Sequence, residues 1–220
     1  MMSATDAAAA ATAGVDAIGM VFYRKAARCI SIETAKEILA ALPPFVTPVG
    51  LFVNASAEEI LQTAQQVGLT TVQLHGRETP ELVAQLRGFN VIKVLHVGED
   101  FEATLEHWKS QIKSLQLTNI KALLLETASK DAPGGTGIEN DWSAITNAQQ
   151  KNWFEGLPPM VAAGGLTPEN VGDVVRRIRP FAVDLSSGIE ETKGKKSTEK
   201  MRQFVAAVSQ ADLENKKSHG

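Results

Sequence analysis

Met160-Val161-Ala162-Ala163-Gly164-Gly165, running into Leu166-Thr167-Pro168-Glu169-Asn170, is the stretch that decides the fold of this chain. An apolar run ends in paired glycines, and a proline follows where a helix can begin. A second unit of the same kind comes next, Ala182-Val183-Asp184-Leu185-Ser186-Ser187-Gly188. Side chains would crowd a phosphate out of the first turn, whereas paired glycines let backbone N–H groups approach it. In the second turn the Ser hydroxyls add donors, and a helix N-terminus adds favourable partial charge. Two adjacent strand–helix units that end this way match the phosphate site after strands 7 and 8 of a (β/α)8 barrel.

Working outward, strand-like and helix-like segments alternate along the whole chain, the pattern of α/β folds with parallel strands. Strands are predicted at Ala17–Tyr23, Pro48–Val53, Thr71–Leu74, Val91–Val97, Ala122–Glu126, Met160–Ala163 and Ala182–Leu185. Helices are predicted from Ser3 or Thr5 to Gly14, at Ser31–Leu42, Ala57–Val67, Pro80–Arg87 and Phe101–Leu115, from Asp141-Trp142 onward, at Pro168–Ile178 and at Ser197–Val208. Seven strands then accompany eight helices, whereas a closed barrel needs eight strands. The chain opens on a helix where a strand should stand. The predicted fold is therefore α/β, a (β/α)8 TIM barrel lacking the first β-strand. One phosphate-binding domain is expected over residues 1–212, with a polar tail over 213–220.

Composition narrows the function. A formal net charge of −3 argues against a nucleic-acid surface. No apolar run reaches the roughly 18 residues that a membrane span needs. Cys29 is the only cysteine, so no intrachain disulfide can form and a reducing cytoplasm is the expected location. The histidines, His75, His96, His107 and His219, do not share metal-ligand spacing, so neither a metal nor another cofactor is expected. Oligomeric state is not legible.

Barrel active sites lie at the C-terminal ends of the strands. The polar residues at those ends include Arg28, Asn54, Gln73, His75, Glu126 and Asp184, with the Gly134–Gly137 loop. Arg28 can grip a substrate carboxylate through two parallel hydrogen bonds; as an alternative it is a solvated loop charge. His75 suits acid–base chemistry at neutral pH, or it merely bonds its neighbours. Glu126 ends the apolar strand Leu123-Leu124-Leu125. There it serves as a general acid, with a structural ion pair as the rival. Cys29 reads as a small apolar residue rather than a nucleophile. From these residues alone, a cofactor-free enzyme acting on a small phosphorylated substrate, with or without a carboxylate, is expected.

Several segments occur in a telling order: Phe22-Tyr23 with Arg28, Gly50-Leu51-Phe52-Val53-Asn54, Gln73-Leu74-His75-Gly76, Gly134-Gly135-Thr136-Gly137 with Asp141-Trp142, then the two phosphate turns through Ile189-Glu190. Together they resemble the phosphoribosylanthranilate isomerase family of tryptophan biosynthesis, from the first helix to the last. The resemblance implies an Amadori rearrangement. A general acid protonates the ribose ring oxygen and opens the ring to a Schiff base, and a general base removes the C2′ proton. It places Gly135, Gly137, Gly164, Gly165, Ser186 and Ser187 on the phosphate, Arg28 on the anthranilate carboxylate, and Gln73, His75 and Asp184 around the substrate.

Two departures from the family pattern stand out. Its acid is an Asp where this chain has Glu126, which reaches one methylene further. Its base is a Cys in the first strand, the strand not found here, and Cys29 is not that residue. A start placed just after a Cys-Gly turn is the expected explanation, and residues 1–220 alone are expected to be poorly soluble with little activity. The rival reading is a non-catalytic barrel remnant that binds a phosphorylated metabolite or a partner. Indole-glycerol-phosphate synthase, another phosphate-binding barrel, fits the Gln-Leu-His-Gly and Gly-Gly-Thr-Gly segments less well.

Overall fold

A computed structural model of the chain describes residues 1–127 and 142–217. Its first half runs α1 (Ala4–Ala13), β1 (Ala17–Val21), α2 (Ile32–Ala40), β2 (Thr47–Phe52), α3 (Ala57–Val67), β3 (Thr71–Leu74), α4 (Pro80–Gln85) and β4 (Asn90–Val97). The second half runs α5 (Phe101–Ser114), β5 (Ile120–Thr127), α6 (Trp142–Gln150), β6 (Met160–Ala162), α7 (Val171–Ile178) and β7 (Ala182–Val183). A 3-10 turn (Ser187–Ile189), a hairpin of β8 (Glu190–Thr192) and β9 (Lys195–Lys196), and α8 (Thr198–Lys217) complete it. Local chemistry explains the helix starts: the hydroxyls of Ser3, Ser31, Ser56 and Thr79 each accept from a backbone N–H in the first turn.

Strands β1 to β7 form one parallel sheet in sequence order, with each strand bonded to the next. The helices pack on its outer face, where most of the core lies. A smaller cluster of Val94, Ala122, Leu124, Val161 and Ala163 fills the inner face. This is a (β/α)8 barrel without its first strand. The burial pattern records the gap. In the middle of the sheet every residue of β3 is buried, as parallel strands covered on both faces require. At the edge, β1 alternates: Ile18 and Met20 are buried under helices, while Ala17 and Gly19 on the other face are exposed. Ala182 of β7 is exposed as well. An eighth strand between β1 and β7 would cover all three.

Three expectations need correction. Helix α7 begins at Val171 rather than Pro168. The Asn170 side chain accepts from Thr167 N and donates to the Gly165 carbonyl, which holds the intervening residues in a turn. The β8–β9 hairpin falls where no strand was predicted, because it is polar and antiparallel rather than apolar. The last helix runs on through Lys217 rather than ending at Val208. Arg176 pairs with Glu214 at 3.0 Å, and Asn215 donates to the Val175 carbonyl at 3.2 Å. No described helix is long and apolar enough to cross a membrane.

Candidate active site

Side chains alternate across a strand, so residues two apart share a face. On β5 the inward series is Ala122, Leu124 and then Glu126 at the C-terminal end. The same rule carries Gln73 on β3 inward, with His75 one pleat beyond. These side chains line one cleft with Arg28, Asp184, Gly164, Gly165, Ser186 and Ser187. The cleft opens to solvent and holds a cavity of about 110 Å3. All the predicted site residues within the described part of the chain meet there. Gly135 and Gly137 lie outside the described residues.

The two turns predicted to take a phosphate stand side by side. Gly164 and Gly165 have φ of +96° and +64°, a region that side chains strain to enter. That conformation is what a close backbone approach to an anion calls for. Gly188 brings the second turn against the first: a Cβ there would sit 2.0 Å from the Leu166 carbonyl oxygen. Only a glycine permits this contact.

Three side chains in the cleft form a hydrogen-bonded chain. Gln73 Nε2 lies 3.0 Å from His75 Nδ1, and His75 Nε2 lies 2.7 Å from Glu126 Oε2. With the amide in this orientation its NH2 donates, so Nδ1 accepts and the ring proton sits on Nε2, directed at Glu126. Asp184 faces the same cleft. Although it opens to solvent at the seam, the surrounding protein pushes its carboxyl up, and the charge of Glu126 adds to this.

Arg28 reaches the cleft because its loop folds back on β1. Ala26 N bonds to the Tyr23 carbonyl, and Ile30 N bonds to the Val21 carbonyl at 3.0 Å. Cys29 lies in that segment. Burial pushes its thiol up, against a smaller opposing effect of Arg24, so the thiol stays protonated at neutral pH and inert.

A second polar cluster, not foreseen from the sequence, supports His75 from behind. Lys93 Nζ donates to the carbonyls of Leu74 and Gly76, at 3.0 and 2.8 Å, and to Glu78 Oε2 at 2.8 Å. Glu78 accepts in turn from Asn54 N and Gly76 N. Both carbonyls flanking His75 are thereby fixed. The available clue was Lys93 itself, a charge inside the apolar run Val91–Val97.

Among the described residues no group of three or more potential ligands could hold a metal ion.

The sequence profile described as N-(5'phosphoribosyl)anthranilate (PRA) isomerase matches residues 1–207. An N-(5'-phosphoribosyl)anthranilate isomerase of Pseudomonas putida (strain W619) is 43% identical over 210 residues, 94% of this chain and 93% of that protein. The solved phosphoribosyl anthranilate isomerase of Thermotoga maritima is 36% identical, with a TM-score of 0.81 over 96% of each chain. Another such isomerase, solved with reduced 1-(o-carboxyphenylamino)-1-deoxyribulose 5-phosphate, is also 36% identical. It has a TM-score of 0.78 and covers 96% of this chain and 95% of its own. With its open parallel barrel sheet and a family profile matched over residues 1–207, the chain belongs to the N-(5'-phosphoribosyl)anthranilate isomerase family.

Proposed function

We propose that this cleft binds N-(5-phosphoribosyl)anthranilate and converts it to 1-(o-carboxyphenylamino)-1-deoxyribulose 5-phosphate by an Amadori rearrangement. The observation that carries this is the meeting of the glycine and serine turns, Arg28 and Glu126 in one cleft. The phosphate lies on Gly164, Gly165, Ser186 and Ser187, and the anthranilate carboxylate lies on Arg28. Glu126 gives its proton to the ribose ring oxygen, and the ring C1′–O bond breaks as the amine nitrogen lone pair forms the Schiff base. The His75 N–H then stabilises the carboxylate left on Glu126. A base takes the C2′ proton, giving an enolamine that ketonises to product.

Glu126→Gln keeps the size of the side chain and removes the transferable proton. In a polypeptide that includes an upstream first strand, it should lower kcat about 100-fold with little change in KM. Near-normal turnover would remove Glu126 from the mechanism. Gly165→Val places a branched side chain at positive φ in the phosphate turn. It should weaken binding of the reduced product analogue at least about tenfold in calorimetry. Unchanged affinity would dismiss the phosphate site.

The open seam favours a narrower reading for residues 1–220 by themselves: substrate binding without efficient turnover. Among the described cleft residues, none stands as a base on a strand between β1 and β7.

A further inference from the structure

Arg28 meets a carboxylate within the protein. Its Nε donates to Glu190 Oε1 and its Nη2 to Glu190 Oε2, both at 2.7 Å. A guanidinium has two such edges, Nε with Nη2 and Nη1 with Nη2, and five N–H donors in all. Glu190 occupies the first edge. The second has no protein acceptor among the described residues. Arg28 lines the cleft, whereas Glu190 stands behind it with its side chain only 7% exposed.

Glu190 is itself held. Lys196 Nζ donates to Glu190 Oε1 at 3.2 Å and to the Ser186 carbonyl at 2.6 Å. The β8–β9 hairpin pairs Glu190 with Lys196 and turns at Gly194, whose φ is +89°. The hairpin that follows the phosphate turn thus ties that turn to Arg28. Burial pushes the Glu190 carboxyl up, but the Arg28 hydrogen bonds and the Lys196 charge outweigh it and hold it at about 2. It is ionised throughout the neutral range.

We propose that Glu190 is a positioning residue: it grips Arg28 by one edge so that the other edge faces the cleft and takes the substrate carboxylate, and Lys196 anchors this clamp to the phosphate turn. The inference rests on the isomerase reading above. Its physical gain is preorganisation. An unheld arginine must lose much of its rotamer freedom on binding, while one held by a bidentate ion pair has already done so. The chain Arg28–Glu190–Lys196–Ser186 also fixes the spacing between the carboxylate and phosphate anchors. A glutamate that competed with substrate for the same arginine would act in the opposite direction.

Calorimetry separates these roles with two ligands, reduced 1-(o-carboxyphenylamino)-1-deoxyribulose 5-phosphate and the same molecule without its ring carboxylate. Residues 1–220 are compared with Glu190→Gln, Arg28→Met and the double variant. Glu190→Gln should weaken the carboxylated ligand about tenfold and leave the other within about twofold. In the Arg28→Met background it should add nothing. Retained binding of the ligand without the carboxylate shows that each variant is folded. Tighter binding of the carboxylated ligand by Glu190→Gln would overturn the proposal in favour of competition. Equal losses for both ligands, or a further loss on top of Arg28→Met, would make Glu190 merely structural. If the unaltered chain bound both ligands equally well, the carboxylate clamp alone would fall. If it bound neither, the isomerase reading would fall, and the clamp with it.

Discussion

Placing an apolar strand that ends in Cys-Gly ahead of residue 1 raises isomerase turnover about 100- to 10,000-fold over residues 1–220 alone, the range a positioned general base contributes. The geometry requires a particular insertion. Strands β1 and β7 are the two ends of the parallel sheet, so the added strand lies between them and parallel to both. Gly19 of β1 is exposed, and a Cβ built on it, on the inner face of the sheet, meets nothing within 4 Å. Its carbonyl accepts from the Met1 ammonium. Hydrogen exchange should therefore slow at the amides along the outer edge of β1, and Ala17, Gly19 and Ala182 should become buried. Replacing the added Cys by Ala separates the two effects: exchange protection is kept and turnover is lost. Full activity from residues 1–220, or activity in the Ala form equal to the Cys form, would refute the assignment of the base to that strand. The search for a substitute would then start with Cys29 and His75.

Lys93→Met destabilises the fold by about 3–5 kcal/mol, the usual cost of breaking a buried ion pair from one side. The Lys93 side chain is 3% exposed and that of Glu78 is 0%. Burial pushes the Lys93 ammonium down, and the charge of Glu78 opposes this. Removing the lysine leaves the Glu78 carboxylate buried with only backbone donors, and it releases the carbonyls on both sides of His75. Against a typical total of about 5–15 kcal/mol, this is a large share. Urea unfolding should show a lower midpoint with an unchanged slope. Because the penalty comes from the orphaned charge, Lys93→Met with Glu78→Met should recover part of the loss. A loss below about 1 kcal/mol in the single variant would show that water reaches Glu78 and that the pair is not closed.

How legible the site was depended on the kind of information each residue carries. A Ser56 cap and a Gly68 stop placed α3 to the residue, Ala57–Val67, and a short strand-like run ending before His75-Gly76 placed β3 at Thr71–Leu74. Loop motifs marked Arg28, Gln73, His75, Glu126 and the two phosphate turns, because glycine pairs and strand-end polar residues are local signals. The same local reading found no first strand, and the burial pattern of β1 agrees.

Partnership was not legible, because a contact between residues far apart in sequence leaves no local trace. Lys93 could be seen as an oddity in an apolar strand, but its partner Glu78 could not. Nothing near Arg28 in sequence pointed to Glu190, 162 residues away. The hairpin that carries Glu190 and Lys196 is too short and too polar to register as strands. By itself, then, the sequence determined the barrel, its missing strand and the identities of the groups around the cleft, since these follow from backbone propensity and patterning. Only the tertiary structure decided which of those groups hold one another, since the curled parallel sheet brings distant loops to one end of the strands.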